Sequence, residues 1–198
     1  MIHFRLRDLA WVWFYRMLAP CFGSFGKRVR LEHPRHLVGA RYMHFEDGAD
    51  IQHGAYILAQ PIDGNVPEVR FGRGCLVGHE VHISCVERVV IGERALLADR
   101  VFIADNSHEY EDVTRAIADQ PLRILAAVEI GAGSWVGENV AIIGCRIGRN
   151  SVIAANSVVR RDVPDHCVAA GVPARIVKRY CPDRKTWVRT KPDGDFAE

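Results

Sequence analysis

Residues 89–104 read VVIGERALLADRVFIA, and their aliphatic side chains recur at every sixth position, at Ile91, Leu97 and Ile103. A Gly or Ala follows each of these residues, and a small residue such as Ala95 lies four positions after the aliphatic one. This period fits neither an amphipathic helix of about 3.6 residues per turn nor simple two-residue alternation. It fits a chain that bends after every six residues, with the aliphatic side chain of each short strand pointing inward.

The same period recurs along most of the chain. Aliphatic or Phe residues six apart form the sets Phe45–Ile51–Ile57, Phe71–Val77–Ile83, Ile91–Leu97–Ile103, Ile130–Val136–Ile142 and Ile147–Ile153–Val159. Three bends per turn predict a triangular coil, and coils stack at strand spacing, roughly 4.8 Å. We therefore predict an all-β solenoid, a parallel β-helix, over residues 42–180. The alternative is a β-sandwich, in which turn residues would separate the short strands.

Two excursions interrupt the repeat, at 58–70 and at 105–129, and one corner is longer than the others, because Ile83 and Ile91 are eight residues apart. Loops that leave a rigid scaffold commonly carry function. We divide the rest of the chain into an N-terminal capping segment, 1–41, and a C-terminal tail, 181–198.

Three stretches resemble a known family. They are VVIGERALLADRVFIADNSHEYED (89–112), VEIGAGSWVGENVAIIGCRIGRNSVIAANSVVRRDV (128–163) and VAAGVPARIVKR (168–179). They resemble the hexapeptide-repeat acyltransferases, and within them the sugar O-acetyltransferases, which include the maltose/galactoside acetyltransferases and enzymes of surface-polysaccharide biosynthesis. The resemblance implies a left-handed β-helix, to which we add an N-terminal helical segment and a short C-terminal helix. It also implies a homotrimer, with active sites between subunits, that transfers acetyl groups from acetyl-CoA to a sugar or glycan acceptor.

His108 is the candidate catalytic residue. It follows the inward-facing Ile103 at the start of the second excursion, and histidine suits a general base because its ordinary pKa lies near neutrality. The alternative from the residues alone is a surface histidine in an acidic loop. The resemblance places the family's catalytic histidine at this offset, which implies direct attack of a sugar hydroxyl on the thioester.

The six cysteines show no CxxC and no metal-ligand spacing, which favours reduced thiols in a cytoplasmic protein. None lies next to His108 in sequence, so we disfavour a cysteine nucleophile, the rival mechanism. Small buried positions accept free cysteine in any case.

Coenzyme A requires cations for its phosphates and small residues beside its extended arm. The resemblance implies contacts in the C-terminal repeats, and the predicted residues are Gly137, Ala155, Arg160, Arg161, Arg175 and Lys178. The alternative for the cations is an ordinary solvated face. One departure from the family is the five-residue spacing from Ile142 to Ile147, so no contacts are transferred to that corner.

The acceptor site also departs from the maltose/galactoside branch, which has an asparagine about thirty residues before its catalytic histidine. Here that region contains His79, Glu80 and His82, which we predict to contact the acceptor together with Tyr110. We expect no metal: the γ-type carbonic anhydrases share the solenoid, but their histidines are five apart where His79 and His82 are three apart. N-acetylation of an amino sugar or nucleotide sugar and a non-enzymatic scaffold remain alternatives.

The N-terminal segment is basic, since residues 1–41 carry eight Lys or Arg and two acidic residues, a net of +6, in a chain of net charge +2. The low overall charge argues against nucleic-acid binding. A helix over 2–18 would place Ile2, Leu6, Leu9, Trp13 and Met17 on one face. It either caps the solenoid or lies on the inner face of the membrane, with residues 1–30 near anionic lipid. It is too short to span a bilayer.

Overall fold

The computed structural model describes residues 6–62, 64–191 and 195–196, and most of its strands form three sheets that the chain visits in rotation. We call the sheets faces A, B and C, and one passage through all three a coil. Face A contains Ser24–Phe25, Met43–Phe45, Glu68–Phe71, Arg88–Ile91, Val128–Ile130 and Arg146–Ile147. Face B contains Arg30–Leu31, Asp50–Ile51, Leu76–Val77, Leu96–Leu97, Trp135–Val136, Val152–Ile153, Cys167–Gly171, Ala174–Cys181 and Thr186–Arg189. Face C contains His36–Val38, Tyr56–Ala59, His82–Cys85, Phe102–Ala104, Ala141–Ile143 and Val158–Val159.

The inward columns are the predicted ones. All residues of the five sets named above are at most 2% exposed, and the register stacks like positions, so that Phe71 pairs with Phe45 on one side and Ile91 on the other. The rings of Phe45 and Phe71 are parallel, with centroids 4.7 Å apart. Full burial of each large apolar side chain stabilises the fold by about 1.5–3 kcal/mol. The structure thus has mostly parallel strands with the connectivity of a parallel β-helix.

Small residues are found at the corners for two physical reasons, the close approach of the next coil and the hydrogen bonds of buried hydroxyls. A Cβ on Gly131 would lie 2.5 Å from the backbone N of Arg149 in the next coil, so the stacking leaves room for glycine alone. The buried hydroxyl of Ser134 donates to the carbonyl of Gly148 (2.6 Å) and accepts from the backbone N–H of Ser151 (3.0 Å). These bonds satisfy polar groups that would otherwise be buried without partners.

The regular pairing begins earlier than residue 42. Strands at 24–25, 30–31 and 36–38 pair in parallel with the next coil, so the first coil lies inside the segment that we interpreted as a cap. Ahead of it the chain forms one α-helix, Leu6–Met17, and the short 3-10 helix Ala19–Cys21; two further 3-10 helices are Ala40–Tyr42 and Ile117–Asp119.

The helix packs on the first coil through Trp11 and Tyr15. The ring of Trp11 lies 4.5 Å from that of His33, and Tyr15 packs against the core. Trp13 and Met17, which belong to the apolar face identified in the sequence, are 66% and 79% exposed. Ile2 and the side chains of Leu6 and Leu9, on the same face, lie outside what the structure describes. In the part of the chain that the structure describes, no helix has the length and apolarity needed to cross a bilayer.

The predicted short C-terminal helix is wrong. Ala174–Cys181 and Thr186–Arg189 form an antiparallel hairpin that continues face B beyond Cys167–Gly171. The edge of that sheet would otherwise present unpaired N–H and C=O groups. The segment Ala174–Cys181 is rich in Lys and Arg, which suit a helix, but pairing with this edge makes it a strand.

Candidate active site

Asp105 fixes the point at which the second excursion leaves the coil. It is the first residue of the excursion, and yet its side chain is fully buried. The carboxylate accepts hydrogen bonds from the backbone N–H groups of Val86 (2.9 Å), Glu87 (2.9 Å) and Arg88 (2.7 Å). These residues form the long corner between Ile83 and Ile91, and the eight-residue spacing was the signal in the sequence that this corner needs an external partner.

Asn106 adds a second attachment. Its side-chain amide donates to the carbonyl and the hydroxyl of Ser84, each at 3.0 Å, and to Asp105 at 3.0 Å. Asn106 also begins a strand, Asn106–His108, which pairs antiparallel with Leu122–Ile124. The excursion is therefore a hairpin attached to the coil at its base.

His108 ends the first strand of this hairpin, opposite Leu122, and its side chain is exposed. Beyond His108, a hydrogen bond joins the two sides of the excursion. The side-chain amide of Gln120, a buried residue, donates to the carbonyl of Asp112 at 3.0 Å. Tyr110, predicted to contact the acceptor, is 58% exposed in this closed segment. The hairpin thus holds an imidazole in solvent while the backbone that carries it is fixed.

The predicted acceptor residues are divided between two places. The backbone N–H and the ring Nδ1 of His79 both lie near the Asp99 carboxylate, at 2.8 and 3.1 Å, and its ring lies 4.4 Å from that of His53. Glu80 and His82 instead line a cavity of about 390 Å³, the corner cavity, with Arg35, Gly54, Tyr56 and Arg100. Partial burial lowers the pKa of His82, because it disfavours the charged imidazolium.

The corner cavity and His108 lie at opposite ends of face C within one chain. Arg100, in the cavity lining, precedes the strand Phe102–Ala104, whereas His108 follows that strand. A face C strand therefore separates the proposed base from the proposed acceptor residues of the same chain.

Gly137 and Ala155 are neighbours in successive coils. A Cβ on Gly137 would lie 2.6 Å from the backbone N of Ala155, so stacking alone accounts for this glycine. Arg160 and Arg161 are exposed directly after the last face C strand, Val158–Val159.

Arg175 and Lys178 lie together in a groove of about 540 Å³ that we call the basic groove. It is completed by two cations that sequence reasoning missed, Arg189 and Lys191. Residues three apart in a regular strand point to opposite sides, but the strand pairing shifts between Val168 and Ala169, and this irregularity puts Arg175 and Lys178 on one side. Arg160 and Arg161 do not line this groove.

The basic groove carries uncompensated charge. Lys178 and Arg189 are directly opposite each other on paired strands, an arrangement that is destabilising for like charges. Among the described residues, no carboxylate forms an ion pair with the four cations. The signal available in the sequence was the run of cations after residue 174, which becomes a site only once the hairpin folds it.

Three buried cysteines, Cys75, Cys85 and Cys145, are poor nucleophiles in this structure. Burial raises the pKa of Cys75 to about 12 and that of Cys145 to about 11, and burial, with the Asp105 carboxylate as a further cause, raises the pKa of Cys85. Cys21 is exposed but lies before the first coil. Within the described ranges, no three His, Cys, Asp or Glu side chains come together as a metal-binding group.

Acetyltransferases are among the known proteins and solved structures that resemble this chain. No family model matches the chain. The chain is 41% identical to WbbJ, a proposed lipopolysaccharide biosynthesis O-acetyl transferase of Escherichia coli (strain K12), over 59% of this chain and 67% of that protein. Two further relatives are matched over only 37% and 58% of their length.

Two solved structures are similar. The polySia-specific acetyltransferase NeuO has a TM-score of 0.54 at 26% identity, over 76% of this chain and 70% of that chain. Galactoside acetyltransferase in complex with coenzyme A has a TM-score of 0.59 at 21% identity, over 99% and 82%. At this identity the second similarity supports the fold alone.

Proposed function

Because the chain belongs to the hexapeptide-repeat acetyltransferases, and is thus an acyltransferase as expected, we propose that it transfers the acetyl group of acetyl-CoA to a hydroxyl of a sugar or glycan precursor. Transfer to a hydroxyl is supported by the similarity to WbbJ, an O-acetyl transferase of lipopolysaccharide biosynthesis, and a glycan acceptor also by the similarity to the polySia-specific acetyltransferase NeuO. The observation that carries the proposal is the hairpin of His108, which Asp105 and Asn106 attach to the coil at its base. A base acts only when it is held within hydrogen-bond reach of the proton that it removes.

In the proposed reaction, His108 takes the proton of the acceptor hydroxyl as the oxygen attacks the thioester carbonyl carbon. The C–S bond then breaks, and the proton on the imidazole passes to the departing sulfur, which leaves as the thiol of coenzyme A. The route needs no acyl-enzyme. This agrees with the burial of Cys75, Cys85 and Cys145 and with the raised pKa of each of these thiols.

The basic groove is our proposed site for the phosphates of acetyl-CoA. Arg175 and Lys178, the family-type positions, are joined there by Arg189 and Lys191. A bound phosphate would relieve the repulsion between Lys178 and Arg189, and charge-assisted hydrogen bonds to phosphate are among the strong ones. Ala155 and Gly137 lie in the adjoining coils, while Arg160 and Arg161 at the end of face C remain proposed contacts.

Replacing Arg189 by Gln is expected to raise the KM for acetyl-CoA roughly tenfold with little change in kcat, because the lost contact binds ground state and transition state alike. Steady-state kinetics at varied acetyl-CoA measures this. The matched control is Arg184→Gln, an exposed cation at the turn of the same hairpin that does not line the groove. Equal KM values for the two variants would contradict the proposed phosphate site.

The separation of His108 from the corner cavity supports an active site shared between subunits. We propose the family's left-handed winding and its trimer, in which the hairpin of one subunit faces the corner cavity of the next. Glu80 and His82, with Tyr56, then contact the acceptor, while His79 only supports the corner through Asp99. Tyr110 is placed to contact the acceptor from the hairpin side.

The proposed reaction is tested by incubating the protein with acetyl-CoA and a panel of nucleotide sugars and glycans, and following thiol release. We expect release that depends on the acceptor and a product that gains one acetyl ester. Release at the same slow rate with and without every acceptor, or a product acetylated on nitrogen, would contradict hydroxyl transfer.

A further inference from the structure

The helix Leu6–Met17 has an apolar side that the rest of the protein does not cover. Trp11 and Tyr15 make its contacts with the first coil, whereas Trp13, Phe14 and Met17 are 66%, 46% and 79% exposed. Capping the coil therefore accounts for only one side of the helix. Contiguous exposed apolar surface on a soluble protein commonly marks a contact site.

Beyond the first turn of this helix, the exposed charges of the N-terminal segment have one sign. In residues 10–41 the exposed charged side chains are all cationic, and they are Arg16, Lys27, Arg28, Arg35 and Arg41. The single acid of this segment, Glu32, is partly buried and paired with Arg30. None of the described carboxylates forms an ion pair with the five cations.

We propose that this end of the protein docks on an anionic lipid surface through the exposed helix side of Trp13, Phe14 and Met17 and through the cations Arg16, Lys27, Arg28 and Arg41. The fifth cation, Arg35, lines the corner cavity instead. Aromatic and Met side chains enter the boundary between headgroups and acyl chains. Each cation near an anionic leaflet adds attraction. The proposal does not depend on the acetyl transfer proposed above.

Two other occupants fit the same surface less well. An anionic polymer would pair with the cations but would leave the side chain of Met17 in water. A second copy docked end to end would bring two sets of the same cations together, and like charges across an interface oppose association. A lipid surface alone supplies both the negative charge and the hydrocarbon.

Vesicle sedimentation tests the proposal with the full-length protein. We expect it to sediment with vesicles of phosphatidylcholine containing about 30% phosphatidylserine, and not with phosphatidylcholine alone. About 0.5 M salt should weaken this binding at least tenfold, because it screens the charges. The double variant Trp13→Glu, Met17→Glu should lose at least about tenfold in binding, because it places charge on the inserting side.

The matched control is the double variant Val66→Glu, Val113→Glu, which adds the same two charges at apolar residues that are 74% and 93% exposed in the two excursions and should bind as the unmodified protein does. Circular dichroism checks that the double variant of the helix is folded, and the triple variant Arg16→Gln, Lys27→Gln, Arg28→Gln, which leaves the helix packing intact, should also bind at least about tenfold more weakly. Equal binding to neutral and anionic vesicles, no binding to either, or wild-type binding by both the double variant of the helix and the triple variant would overturn the proposal. A double variant of the helix that changes the oligomeric mass but not vesicle binding would show a contact between copies instead.

Discussion

Replacing His108 by Ala is expected to lower kcat for acetyl transfer by about 10²–10⁴-fold, the usual contribution of a general base. The side chain is exposed at the end of a hairpin strand and packs in no core, so its removal should leave the fold intact. The KM for acetyl-CoA should stay near its original value, because the basic groove belongs to another part of the chain. Steady-state kinetics and calorimetric titration with coenzyme A measure the two effects separately.

Two further variants sharpen this test. His108→Gln keeps a polar side chain but cannot accept and release the proton, so it should be nearly as slow as the Ala variant. His44→Ala removes a face A histidine whose ring bonds only the Ser24 hydroxyl, at 3.2 Å, and should be near normal. Activity of His108→Ala within about threefold of the unmodified enzyme would exclude His108 as the base.

Replacing Asp105 by Ala is expected to destabilise the protein by roughly 3–5 kcal/mol, although the residue touches no substrate in the proposed reaction. The substitution removes the acceptor of three backbone N–H groups, those of Val86, Glu87 and Arg88, in a buried corner. It also frees the base of the hairpin, so activity should fall more steeply on warming than in the parent enzyme. Chemical denaturation followed by circular dichroism gives the change in free energy of unfolding.

The control for this prediction is Asp112→Ala in the same excursion. The Asp112 side chain is exposed, and its carboxylate accepts hydrogen bonds from the backbone N–H and the hydroxyl of Thr114. We therefore expect a much smaller loss of stability than for Asp105→Ala. If both variants lose the same small amount of stability, the Asp105 carboxylate does not hold the corner.

The repeat could be predicted from the sequence because the six-residue spacing of inward residues recurs in every coil. Each inward residue has the same neighbours above and below, so five sets of spacing carried one piece of information, and all five are buried. The first coil was missed although Phe25, Leu31 and Leu37 keep the six-residue period. The basic charge of residues 1–41 favoured a capping segment there, and the stretches that resemble the family begin further on.

Other features depend on contacts between distant residues, which no local pattern encodes. Asp105 looks like the first polar residue of a loop, and its burial follows only from the corner that it meets at 86–88. Ala174–Cys181 carries cations that suit a helix as well as a strand, and the free edge of face B decides between them. At the candidate site, the sequence identified Arg175 and Lys178, but folding of the hairpin was needed to place Arg189 beside them.

The stacking of coils also sets the order in which the molecule should open. A repeat that touches only its neighbours frays from its two ends, and interior repeats exchange their amide hydrogens last. The strand Phe102–Ala104, which leads to His108, belongs to the fourth of six complete coils in the described residues. We therefore expect the coil that carries the proposed base to exchange its amide hydrogens among the slowest in the protein. The helix and the basic groove lie near the two ends, where local opening should be most frequent.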